Sequence, residues 1–106
     1  MMVSNMKRVD RIKYMMEKMF EIPHSKMKIV KDYNGKYFLY LGSRSKHQLW
    51  YNLLEQLEEK LGEDGLEQLV KKHNGYLCYA NIAPVFDTED DLVEFLEEAL
   101  LLIALK

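Results

Sequence analysis

Apolar residues recur at helical spacing along the first segment. Val9, Ile12, Met16, Met19 and Phe20 fall on one face of a helix over residues 5–20. At about 100° per residue, Lys7, Arg11, Tyr14 and Lys18 fall on the other. Ser4 or Asn5 can cap the start, and Pro23 ends the helix by pushing Ile22 toward extended geometry.

The period then changes. Two β-rich runs, 27–33 and 36–41, flank Asn34-Gly35. Asn-Gly is the strongest short hairpin signal, because a type I′ turn needs positive φ at both central residues. A two-residue loop sets Tyr33 opposite Lys36, Lys31 opposite Phe38 and Ile29 opposite Tyr40. One face of the hairpin then carries Met27, Ile29, Lys31, Tyr33, Lys36, Phe38 and Tyr40, and the other Lys28, Val30, Asp32, Tyr37, Leu39 and Leu41. Apolar residues on both faces predict partial cover for both.

Helical spacing returns after the loop 42–45. Ser45 and Gln48 form a capping-box pattern, and Leu49, Trp50, Leu53, Leu54, Leu57 and Leu61 make one broad stripe. Gly62 stops this helix. A short third helix opens at Asp64 or Gly65, turns Leu66, Leu69 and Val70 inward, and ends at Asn74-Gly75. Its last turn carries Lys71, Lys72 and His73, where cations suit the helix dipole. Residues 76–82 predict a third strand, broken by Pro84. Thr88 caps a fourth helix whose first turn holds Glu89, Asp90 and Asp91, and whose core face is Leu92, Leu96, Ala99, Leu100 and Ile103.

The predicted order is α-β-β-α-α-β-α. It implies an α+β fold with a small, mainly antiparallel three-stranded sheet and four helices, in a single domain over residues 1–106. The third strand can pair with either edge of the hairpin. A chain this size buries roughly 60–70% of its unfolded surface, enough for a core without staples. The single cysteine, Cys78, rules out an intrachain disulfide and reads as a core residue of its strand. The longest apolar run, residues 99–105, falls far short of the ~20 residues a bilayer crossing needs. The first residues lack the order of a secretory signal. These features predict a soluble cytoplasmic protein.

Charge changes the picture more than composition does. The net charge is only −2, yet residues 1–47 hold eleven Lys and Arg against four acids, and residues 48–106 hold four Lys against thirteen acids. The halves therefore carry +7 and −9. Such a split suits a basic surface for an anionic partner, or two halves that attract each other within or between chains.

Two constellations follow as candidate sites. Leu101 and Leu105 fall on the same side of the last helix as Glu94 and Glu98, with Leu102 near the edge. Leucines there point to an interface, with a homodimer or another protein as the partner. The alternative is a nucleic-acid or anionic-ligand contact made by Lys7, Arg11 and Lys18 on the first helix and by Lys28, Lys31, Lys36, Arg44 and Lys46 on and around the hairpin. Lysines interleaved with aromatics on a sheet are one way of stacking single-stranded bases.

Other chemistry finds little support in the pattern. A helix-turn-helix over residues 49–73 would carry six acids against three lysines, the wrong sign for a phosphate-lined groove. His24, His47 and His73 form no metal-ligand spacing, and acids 87–91 lack a calcium loop's pattern. Ser43, Ser45 and His47 sit close in sequence, a spacing that suits capping. No phosphate loop or nucleophile elbow occurs, so the expectation is a non-catalytic interaction protein without a cofactor.

Overall fold

The computed structural model describes residues 5–21, 27–40, 46–78 and 81–105. The elements run α1 (Asn5–Phe20), β1 (Lys28–Lys31), β2 (Tyr37–Tyr40), α2 (Lys46–Lys72), β3 (Gly75–Cys78), β4 (Asn81–Phe86) and α3 (Glu89–Ala104). The class is α+β, but the sheet has four antiparallel strands in the order β1-β2-β4-β3. The expected three strands become four because the run 76–82 is two elements, β3 and the start of β4, paired with each other. Pro84 does not break β4. In the register set by Tyr76 and Val85, Pro84 faces Leu77, and there the ladder shifts between Tyr76 and Cys78. A residue without an N–H is tolerated at such an irregularity.

Three helical elements replace the expected four. Residues 46–72 form one element bent at Gly62, which leaves the helical region at φ 79°, ψ 167°. The two predicted helices are the arms of this bent element. At that φ an L side chain is strained, and glycine is not. Asn74, at φ 57°, closes the second arm in the left-handed conformation that asparagine tolerates. Thr88 caps α3 as expected, with its hydroxyl accepting from the Asp91 N–H at 3.0 Å. The Ser45–Gln48 capping pattern lies outside the described residues.

The hairpin is offset by one residue from expectation. Lys28 pairs with Tyr40, Ile29 with Leu39, Val30 with Phe38 and Lys31 with Tyr37. The loop therefore holds three residues, Tyr33, Asn34 and Gly35, the last at φ 81°. Asp32 causes the offset. Its carbonyl accepts from the Gly35 N–H at 3.0 Å, and its carboxylate takes the Asn34 and Lys36 N–H groups, each at 2.9 Å. Those bonds hold a turn followed by a left-handed glycine, the three-residue alternative to a type I′ loop.

The offset re-sorts the faces. Met27, Leu39, Pro84 and Phe86 are buried on the side that meets the helices, with Ile29 and Tyr37 packed beside them. Lys31 is on this side, over the Tyr37 ring. Lys28, Val30, Phe38 and Tyr40 face the other way. α3 lies between α1 and α2 and packs on β2 and β4, while α2 packs on β3 and β4. One core joins all these elements: Ile12 and Met16 from α1; Trp50, Leu53 and Leu57 from α2; and Leu92, Phe95, Leu96 and Leu100 from α3.

Candidate interaction surfaces

The outer surface of the helical layer is built around α3. Its core face, Leu92, Leu96, Ala99, Leu100 and Ile103, is buried as expected, and Val93 and Phe95 join it. Seven buried positions in sixteen leave a narrow outward strip: Glu94, Glu98, Leu101 and Leu105. Leu101 is 56% exposed and Leu105 68%. Leu102 behaves differently. It is half-buried and packs against the core on the α2 side, so the apolar strip rests on two leucines rather than three.

Each flank of this strip is tied by charge. On one side the Arg8 guanidinium of α1 donates to Glu97, with Nε to Oε1 at 2.8 Å. On the other, Glu98 receives Lys72 Nζ at 3.0 Å and lies 3.1 Å from His73 Nε2. The Lys72 hydrogen bond, aided by His73, holds the Glu98 carboxyl below its ordinary pKa. His73 is mostly buried and meets Phe95 edge-on, with centroids 6.3 Å apart. This His73–Glu98 pair links the end of α2 to α3. Sequence spacing alone could not find it, because the partners are 25 residues apart. Lys60 of α2 also donates to the Leu105 carbonyl, at the C-terminal end of α3.

Beyond the flanks both outer helices carry mixed charge: α1 exposes Asp10 as well as Arg11 and Lys18, and α2 exposes Lys60, Lys71 and Lys72 among its acids. Arg11, Tyr14 and Lys18 are exposed on α1, with Lys18 Nζ 5.5 Å from the Tyr14 ring centroid. Glu55, Glu58, Glu59, Glu63 and Asp64 are exposed on α2. Within the chain, the described ion pairs that join the basic half to the acidic half are Arg8–Glu97 and Lys36–Asp87.

The second surface is the sheet face away from the helices. Val30 lies opposite Phe38 and Tyr76 opposite Val85. Tyr37 opposite Phe86 places Phe38 beside Val85. A row of apolar side chains thus crosses all four strands, with Tyr40 and Lys28 paired next to it. Val30, Phe38 and Val85 are half-buried, and Tyr76 is 50% exposed. Lys36 closes one end, 2.5 Å from Asp87 and over the Tyr76 ring at 4.9 Å from its centroid. The Asp87 hydrogen bond raises the Lys36 pKa.

The described basic residues named as possible anion contacts lie on separate surfaces. Arg11 and Lys18 lie on α1, Lys28 and Lys36 on the open sheet face, and Lys31 on the helix side of β1. Arg44 and the side chains of Lys7 and Lys46 lie outside the described residues, as do Ser43, Ser45 and the His47 side chain. A shallow cleft of about 240 Å³ between α2 and the edge strand β3 is lined by Glu67, Val70, Lys71, Gly75, Tyr76 and Leu77. Its only charged groups, Lys71 and Glu67, pair with each other at 3.1 Å. Among the described residues no three His, Cys, Asp or Glu side chains are placed to share a metal ion. No described helix is long and apolar enough to cross a membrane.

No protein-family model, curated protein or solved structure matches this chain.

Proposed function

We propose that this chain is a non-catalytic interaction protein that binds a protein surface, its own or another's, through the outward face of α3. The observation that carries the reading is the exposure of Leu101 and Leu105, one helical turn apart on the same strip. Scattered apolar side chains are ordinary on protein surfaces. Here the pair sits near the C-terminal end of the middle helix of a three-helix layer, with Glu94 and Glu98 on the same strip, and apolar side chains bordered by charge suit an interface. Burying the exposed parts of these two leucines stabilises a complex by about 2–4 kcal/mol in transfer free energy. Light scattering across a concentration series, with partner capture on the wild type and on Leu101→Glu and Leu105→Glu, tests the reading. The expected result is that both folded variants lose association. Association or capture unchanged in both variants overturns it.

The open sheet face supports a second reading, an anionic ligand with planar groups such as single-stranded nucleic acid. Phe38, Tyr40 and Tyr76 lie there with Lys28 and Lys36, and aromatic side chains beside lysines suit stacked bases. This reading predicts binding that weakens steeply with salt and drops on Phe38→Ala and Lys28→Glu. Absence of retention on single-stranded DNA or RNA at low salt eliminates it. It ranks second because Lys36 is already engaged by Asp87, which leaves the face little net charge.

A further inference from the structure

We infer that the outer edge of β3 is a docking site for an extended, uncharged peptide segment of another protein, which adds to the sheet there as a further strand. The site is separate from the α3 face and does not depend on it.

The two ends of the sheet differ. β1 and β3 are its edge strands. β1 has Lys28 and Lys31 at its ends, and edge lysines are a common guard against pairing with another chain. β3, from Gly75 to Cys78, contains no charged residue. Among the described residues no strand pairs with its outer side.

The register fixes which backbone groups that side offers. The Asp87 N–H donates to the Asn74 carbonyl at 3.2 Å, and these residues stand opposite each other in the register of Gly75 and Phe86. Bonded and unbonded pairs alternate along an antiparallel ladder, so Tyr76 bonds inward to β4 and Gly75 turns its N–H and C=O outward. The irregularity beyond Tyr76 falls on β4, where residues 82–84 stand against Leu77 alone. Leu77 therefore keeps the alternation of β3 and also turns outward. Outward donors and acceptors at alternate residues are a template for an extended backbone.

The cleft beside β3 shows where that backbone lies. Gly75, Tyr76 and Leu77 all line it, with Glu67, Val70 and Lys71 of α2. Successive strand residues present opposite faces of a sheet, so a cleft that touches all three borders the edge itself. Its volume of about 240 Å³ is under the ~300 Å³ of small-molecule pockets and suits the side chains of one added strand. Added residues beside Gly75 and Leu77 turn toward the helices and into the cleft. Aliphatic side chains fit there, because Val70 and Leu77 are apolar and the charges of Glu67 and Lys71 are spent on each other at 3.1 Å. The added residue between them turns to the open face beside Tyr76, where an aromatic or β-branched side chain pairs best. A second copy fits less well. The two-fold axis that pairs β3 antiparallel with its own copy stands perpendicular to the sheet, which brings both α2 helices to the same side of one seam. Each lines the cleft along that seam, so the two compete for space that a lone segment leaves free.

The test begins with a display library of random linear peptides, selected on the immobilised full chain. The expected binders alternate apolar residues, and one of them, synthesised, is the probe. Its binding should slow amide exchange at Gly75 and Leu77 and leave Tyr76 unchanged, since that N–H faces β4. N-methylation of the probe at alternate residues should weaken binding about tenfold in the phase that faces β3 and little in the other phase. Leu77→Pro, checked for folding by circular dichroism, removes an outward N–H without touching the ladder to β4 and should weaken binding similarly; the N-methylated probes test the same bonds on the wild-type chain. Leu101→Glu should bind the probe as the wild type does. A library that yields no binder overturns the site, as does a probe that tolerates N-methylation in both phases. Protection of Gly75 and Leu77 that rises with protein concentration in the absence of peptide gives the edge to a second copy and overturns the peptide. Probe binding lost in Leu101→Glu without protection at β3 moves the peptide to the α3 face, which overturns the edge site and leaves the α3 reading standing.

Discussion

The Trp50 indole N–H donates to the Leu39 carbonyl at 2.9 Å, in a buried contact that fastens the first arm of α2 to strand β2. Trp50 is 2% exposed, and a buried indole usually finds such an acceptor. Trp50→Phe keeps an aromatic ring but removes the donor, leaving a cavity and a carbonyl with one bond fewer. The expected loss is about 2–3 kcal/mol, read as a lower urea midpoint by circular dichroism with an unchanged slope. A changed slope would indicate that the substitution acts on the denatured state instead.

Asp32 controls the hairpin register by occupying both the Asn34 and Lys36 N–H groups. Asp32→Ala removes these bonds and frees the loop to take the two-residue form that Asn34-Gly35 favours on its own. The expected loss is about 1 kcal/mol, measured by thermal unfolding. Amide exchange should accelerate at Asn34 and Lys36 and stay slow at Trp50, which lies outside the hairpin.

This residue also shows where the sequence was legible and where it was not. Helical faces were readable, because burial of Ile12, Met16, Leu53, Leu57, Leu92 and Leu96 follows from spacing that local geometry fixes. The hairpin was readable as a hairpin. Its register was not, because it turned on one aspartate outcompeting the intrinsic preference of Asn-Gly. A slip of one residue then moved Phe38 and Tyr40 to a face away from Lys31. The fourth strand was hidden because no glycine, proline or asparagine stands between Cys78 and Asn81 to separate β3 from β4. On the α3 strip, Leu101 and Leu105 were legible from phase alone. The half-buried state of Leu102 depended on where α2 packs, and helix phase carries no information about that.

Gly75 lies directly against the Phe86 ring, its partner on β4. A Cβ added at Gly75 would lie 2.4 Å from Cε2 of Phe86 and 2.8 Å from Cγ1 of Val70. Phe86 is fully buried against Phe95, with ring centroids 5.0 Å apart, so it has no free space to move into. Gly75→Ala should therefore destabilise by about 1–3 kcal/mol, the usual cost of overfilling a packed site. The companion Phe86→Leu makes room for the methyl. In the double variant the loss should be smaller than the sum of the two single losses, a coupling that a double-mutant cycle in urea measures.

Glu98 gives the chain a defined response to acid. Its folded-state pKa lies below 4.5, chiefly through Lys72 and then His73, while in the unfolded chain it is near the ordinary glutamate value. A carboxylate with a depressed pKa binds its proton less readily when folded, so the unfolded state takes up protons first as pH falls. The stabilisation from Glu98 is thus complete above the unfolded pKa, declines as pH drops below about 4.5, and is gone once pH passes the folded pKa. Glu98→Gln removes this component. Because the carboxylate is about a third exposed, the difference at neutral pH should stay under about 1 kcal/mol. The wild-type and Glu98→Gln stability curves should therefore run parallel at neutral pH and converge on acidification below 4.5. Urea unfolding at a series of pH values checks this. Curves that stay equally separated through the acid range would show that Lys72 and His73 do not stabilise the charged form in the folded protein.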